Sequence, residues 1–184
     1  NFLGGNLQPS GFWPDHIIEV DPESNSIVWG WHVWDHLIQD YDSSKANYGV
    51  VSDHPELVNI NYPDYPNNTE NDWLHINAID YNAELDQIIL SVHHFGEIWI
   101  IDHSTTTAEA ASHTGGNSGK GGDLLYRWGN PQAYMGVNAY ERIFFGQHDA
   151  RWIENGTQIM VFNNGSGRPG GPFTSIDVIN QPIG

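Results

Sequence analysis

The chain repeats itself. A stretch that opens on His75 (His75-Ile76-Asn77) runs through a turn into Ile88-Ile89-Leu90-Ser91. A stretch that opens on His148 (His148-Asp149-Ala150) runs through a turn into Ile159-Met160-Val161-Phe162. A second correspondence overlaps the first. Ile17-Ile18-Glu19-Val20-Asp21 ahead of Val28-Trp29-Gly30-Trp31 matches Ile98-Trp99-Ile100-Ile101-Asp102 ahead of Leu124-Leu125-Tyr126-Arg127-Trp128-Gly129, and Ser175-Ile176-Asp177-Val178-Ile179 opens like a third copy. Each unit reads as four short antiparallel strands. Consecutive four-stranded sheets arranged radially make a β-propeller. The expected fold is therefore all-β, with residues 1–184 forming part of one propeller domain: roughly two blades, partial blades on either side, and no second domain. A propeller needs about four or more blades to close, so a further stretch of chain, a homo-oligomer or a companion chain is expected to complete the ring. A β-sandwich is the alternative architecture.

Local patterns agree. Pro22-Glu23-Ser24-Asn25 and Asn82-Ala83-Glu84-Leu85-Asp86 are polar turns between apolar runs, and Asn155-Gly156 suits a tight hairpin because both residues tolerate positive φ. Asp80, Asn82, Glu84 and Asp86 alternate like a calcium loop, but Leu85 stands where glycine is needed, which favours a plain turn. Short helices are expected only at 104–111 and 34–41. The Trp residues fall mostly inside strands and predict packing between blades. Gly115 to Gly122 reads as a flexible loop. It lacks the spacing of a phosphate loop.

Composition narrows the function. A net charge of −17 would repel a phosphate backbone, so no nucleic-acid partner is expected. The absence of Cys excludes disulfides and thiol catalysis. No apolar run is long enough to span a bilayer. Such acidity suits a periplasmic or extracellular protein. The chemical oddity is ten His against six Lys plus Arg. The strand that lines a propeller's channel is the first of each blade, so His75 and His148 are expected at equivalent channel positions in neighbouring blades. Imidazole titrates near neutrality and acts there as nucleophile, acid or base. In the pair His93-His94, strand alternation predicts that the two rings face opposite sides of the sheet. His36 and His54 flank an acidic stretch and are candidates for a site or a metal. Arg127, Arg151 and Arg168 are scarce cations beside Gly or His motifs and suit an oxyanion.

Several longer strings resemble the bacterial arylsulfate sulfotransferase family: Asp72-Trp73-Leu74-His75-Ile76-Asn77, Tyr126-Arg127-Trp128-Gly129-Asn130-Pro131, Phe145-Gly146-Gln147-His148-Asp149-Ala150 and Val161-Phe162-Asn163-Asn164-Gly165. The likeness runs from about Ile17 to Ile179. It implies a six-bladed propeller, usually periplasmic, that moves a sulfuryl group from an aryl sulfate to a phenol without a nucleotide donor. By motif, His148 is similar to the nucleophile that becomes sulfated and His75 to an assisting acid/base; His93 is a third candidate site residue, and Asn77, Arg127, Arg168 and Asn164 are candidate substrate contacts. His93 stands where the family usually has an Arg. The expected partner is a small phenolic or sulfated molecule. No cofactor is required and no metal ligand is assigned. A non-catalytic extracellular propeller that binds a ligand or protein, and a propeller whose channel His hold a metal, are the alternative readings.

Overall fold

The computed structural model describes residues 11, 13–62, 71–134 and 141–182. Strands dominate it: β1 (His16–Asp21), β2 (Ser26–His32), β3 (Leu37–Ile38), β4 (Val58–Asn59), β5 (Ile76–Asn82), β6 (Gln87–Val92), β7 (Glu97–Asp102), β8 (Tyr126–Trp128), β9 (Gln147–Ile153), β10 (Gln158–Asn163) and β11 (Ser175–Asn180). The one α-helix among the described residues is α1 (Thr107–Ala110), closed by a reciprocal cap between Thr106 and Glu109. No helix among the described residues is long and apolar enough to cross a membrane.

Apart from the parallel pair β3–β4, the strands form successive antiparallel sheets in chain order. β1 pairs with β2; β5-β6-β7-β8 make a four-stranded meander; β9, β10 and β11 make a three-stranded one. The polar turns fall where the sequence places them. Asn82 Oδ1 accepts from the backbone N–H of Glu84 and Leu85. In the β9–β10 hairpin Asn155 and Gly156 both take positive φ, and Glu154 joins them. The four-stranded sheet is the middle layer. Its strands β6 and β7 are buried along nearly their whole length, which requires apolar partners on both faces. Ile88, Leu90, Val92, Trp99 and Ile101 pack toward Trp29 and Trp31 of β2. The alternate residues Ile89, Ile98 and Ile100 pack toward Ala150, Ile159 and Val161 of the following sheet. Successive layers of two, four and three antiparallel strands match the expected all-β, partial-propeller class. The described residues form consecutive layers and not a closed ring.

Two local expectations change. Residues 34–41 hold no α-helix: a 3-10 turn at Val33–Asp35 leads into β3, which pairs in parallel with β4. His36, Leu37, Ile38 and Gln39 are all buried in succession, and one stripe of a surface helix cannot bury four consecutive residues. The Gly-rich loop is tied down. Asp102 Oδ2 accepts from Ser118 N at 2.8 Å, Ser104 Oγ accepts from Asn117 N at 2.7 Å, and Gly121 N donates to Gly115 O. The loop's N–H groups already hold a carboxylate, whose charge opposes a phosphate there.

Candidate active site

The first strands of the middle and third layers both start irregularly, and the irregularities aim the site. In β5 the register against β6 slips between Ile76 and Ala78, so Asn77 is the bulged residue. In β9 the register against β10 slips beside His148, and Asp149 takes a φ of 55°. A bulge redirects the side chains around it. Asn77 Nδ2 thereby donates to the Gln147 carbonyl at 2.9 Å, joining the two strand starts. Gln147, wholly buried, donates from Nε2 to Val92 O and Glu97 O at 2.9 Å each, fixing β9 against the β6–β7 turn. Gln147→Ala strips both carbonyls of their donor. It is expected to destabilise the protein by about 2–4 kcal/mol, read as a lower urea midpoint; an unchanged midpoint would contradict this role.

Four imidazoles meet beside this joint. His93 is the hub, its ring centroid 5.2 Å from His75, 5.3 Å from His94 and 5.3 Å from His148. His94 also stacks on His75 at 5.1 Å. The expectation that His93 and His94 face opposite sides fails for a local reason. β6 ends at Val92, and residues 93–96 form a turn in which alternation no longer applies. His93 N donates to His75 O and His94 N to Leu74 O, folding that turn over the start of β5.

Each ring has its own environment. His75 is largely exposed, and its Nδ1 lies 2.5 Å from Asp72 Oδ2; a carboxylate only accepts, so Nδ1 carries a proton. His94 Nδ1 donates to the Asp72 carbonyl at 2.9 Å. His148 Nδ1 lies 3.1 Å from the Gly146 carbonyl and 3.2 Å from Asn164 Nδ2. Nδ1 can donate to the carbonyl or accept from the amide, and the tautomer that donates leaves a lone pair on Nε2. Three buried polar atoms here, His93 Nδ1, Asn77 Oδ1 and Gln147 Oε1, have no hydrogen-bond partner, a concentration that calls for an explanation such as a ligand or water.

Burial, followed by the repulsion of His94, His75, His148 and Arg142, lowers the His93 pKa to about 4. His93 is therefore neutral at pH 7. Between its ordinary 6.5 and about 4, the unfolded chain takes up a proton that the folded protein refuses. Stability is complete above that window and falls as pH falls through it. In His93→Gln the slope of the denaturation midpoint against pH is expected to flatten over that range. A slope equal to that of the unsubstituted protein would contradict it.

The cations separate. Arg127 is buried in an ion pair with Glu97, Nη2 to Oε2 at 2.6 Å, and its Nη1 donates to Leu57 O at 2.9 Å. The structure does not bring it to the imidazoles, and its donors are engaged elsewhere. Arg168 is half-buried on the Asn164 loop, its guanidinium 4.1 Å from the Phe173 ring and Nη2 3.3 Å from Ser175 Oγ. Arg151 pairs with Asp149 at the surface. The cation that acts on His93 is Arg142, whose Nε donates to Phe144 O and whose guanidinium packs on Gly96. Sequence reasoning passed over it, along with Asp72 and His94 as site members. For Arg142 the available signal was its place just ahead of the Phe145-Gly146-Gln147-His148 string.

Residues 10–177 match the family model described as Arylsulfotransferase (ASST). The chain is also 29% identical over 174 residues to "Arylsulfate sulfotransferase AssT" of Lelliottia amnigena, an alignment that covers 84% of this chain and 29% of that protein. The chain thus spans under a third of the length of that relative. It belongs to the arylsulfotransferase family.

Proposed function

We propose that this member of the arylsulfotransferase family carries a sulfuryl group from an aryl sulfate to a phenol by way of a sulfated His148. The observation that supports it most is the contact of His148 Nδ1 with the Gly146 carbonyl, 3.1 Å away. With Nδ1–H held by the Gly146 carbonyl, Nε2 offers its lone pair inside a group of four imidazoles. In the first half-reaction Nε2 attacks sulfur, the S–O(aryl) bond breaks, and the electron pair leaves on the phenolate oxygen, which takes a proton from His75. The Asp72 carboxylate accepts from Nδ1 and orients the ring so that Nε2 faces the transfer. In the second half, His75 accepts the proton of the incoming phenol, the phenolate oxygen attacks sulfur, and the N–S pair returns to His148. Neutral His93 is a hydrogen-bonding contact, not a charged clamp. Charge on the transferring group falls to the Asn164 amide and to Arg142 and Arg168, while Asn77 holds the two strand starts in register.

The same reading places this chain as part of one propeller. β11 is the last strand of its sheet, and Phe173, Ile176 and Val178 are 58%, 63% and 49% exposed, an apolar surface that a neighbouring blade would cover. It also places the protein in the periplasm or outside the cell. The intact mass of the mature protein and fractionation of its source cells test both statements; a monomer of 20.6 kDa in the cytoplasm would end them. The chemistry is tested by supplying a chromogenic aryl sulfate without acceptor and mapping the protein by mass spectrometry. The expected result is one sulfuryl adduct on the peptide bearing His148, discharged when phenol is added. Release of phenol with no adduct, or an adduct elsewhere, would refute the mechanism.

A further inference from the structure

We infer that His36, His113 and Asp123 form a binding site for a divalent transition-metal ion such as Zn2+, separate from the four-histidine cluster. The three residues come from different segments: His36 between the Val33–Asp35 turn and β3, His113 after α1, and Asp123 after the Gly-rich loop. Their donor atoms lie within 4.8 Å of one another. His36 Nδ1 and His113 Nδ1 each stand 2.8 Å from the same oxygen, Asp123 Oδ1. Two imidazole nitrogens and one carboxylate oxygen are a donor set that suits zinc, with a fourth position left for water. Tetrahedral donors around zinc sit roughly 3.3 Å apart, so each Nδ1···Oδ1 contact must open by about half an ångström.

The surroundings of His36 point to a cation rather than to a simple hydrogen bond. The ring is fully buried. Its Nε2 lies 2.8 Å from the Ala110 carbonyl, and its Nδ1 faces the Asp123 carboxylate. Both neighbours only accept, while a neutral imidazole has one proton. A second ring proton or a metal ion resolves the conflict; with the metal on Nδ1, Nε2–H donates to Ala110, the backbone contact that commonly orients a ligating His. The ring is also preset. Trp31 stacks on it with an interplanar angle of 4°, and a Cβ at Gly122 would come within 2.6 Å of Nε2. His113, 60% exposed at its side chain, gives solvent access. It also lines a cavity of about 320 Å3 with Trp34, Tyr48 and His54, which shares no lining residue with the four-histidine cluster. An ion here ties the loop after β7 to the segment after β2.

The test strips the full chain with a chelator and titrates it with Zn2+, reading bound metal by equilibrium dialysis and the thermal midpoint. One ion per chain is expected to bind at this site. At zinc 100-fold above its Kd, the midpoint is expected to rise by roughly 5–10 °C. His113→Ala, at an exposed position, and Asp123→Asn are expected to lose that ion and the shift. His148→Ala is expected to keep both. No bound zinc in the wild-type chain, retention of the ion and the shift in His113→Ala, or their loss in His148→Ala would overturn the proposal; the last would place the metal among the four imidazoles instead.

Discussion

His148→Ala is expected to lower turnover of an aryl sulfate by at least about 10³-fold, because in the proposed mechanism it removes the atom to which sulfur becomes bonded. The loss should lie in kcat, with KM little changed, since Asn164, Arg142 and Arg168 remain to hold the sulfate. The fold should survive. His148 is half-buried, and its ring nitrogen contacts only the Gly146 carbonyl and the Asn164 amide, while β9 is held in place by Gln147 and by its pairing with β10. A thermal midpoint near that of the unsubstituted protein therefore separates lost chemistry from lost structure. Imidazole added to the alanine variant enters the vacated space and accepts the sulfuryl group itself, so partial rescue is expected. Activity in the variant equal to that of the unsubstituted protein would remove His148 from the reaction.

The strands and the histidine pair were legible because both depend on short-range patterns. Alternation and turn residues gave β5, β6 and β7 to within about a residue. The repeat placed His75 and His148 at equivalent strand starts, which the bulges then turn toward one another. What stayed hidden depends on contacts between distant segments. His94 was misread because alternation was carried one step beyond the end of β6. The role of Arg127 was misread because scarcity of cations made it look available to a ligand. Yet Arg127 pairs with Trp99 across β7 and β8, which puts Glu97 diagonally opposite, within reach of a long side chain on the same face. Glu97 in the otherwise apolar strand Glu97-Ile98-Trp99-Ile100-Ile101 was the warning: a buried carboxylate needs a partner. His36, His113 and Asp123 share no local pattern at all. Their convergence exists only once the loop after β7 folds back onto the segment after β2.

That same ion pair makes Arg127→Ala the substitution with the largest expected effect on stability, about 3–5 kcal/mol, a large part of what holds a typical domain folded. Glu97 is fully buried. Arg127 grips it with two donors, Nη2 to Oε2 at 2.6 Å and Nε to Oε1 at 3.2 Å, and Trp99 Nε1 adds a third bond at 2.7 Å. The guanidinium in turn stacks 4.3 Å over Tyr134. Alanine leaves the carboxylate with the indole alone. Burial already pushes the Glu97 carboxyl above its ordinary value, against the pull of Arg127, and without the arginine it rises further. A carboxyl whose folded pKa is raised favours the folded state most at low pH, and loses that contribution as pH climbs through the folded value. The penalty of Arg127→Ala should accordingly shrink in acid, where Glu97 takes a proton, and be full at neutral pH. Denaturant midpoints at the two conditions measure it. Replacing both partners, Glu97→Leu with Arg127→Met, is expected to recover most of the loss, because no buried charge is left unpaired. A single Arg127→Ala variant as stable as the parent at neutral pH, with its turnover abolished, would return this residue to the substrate.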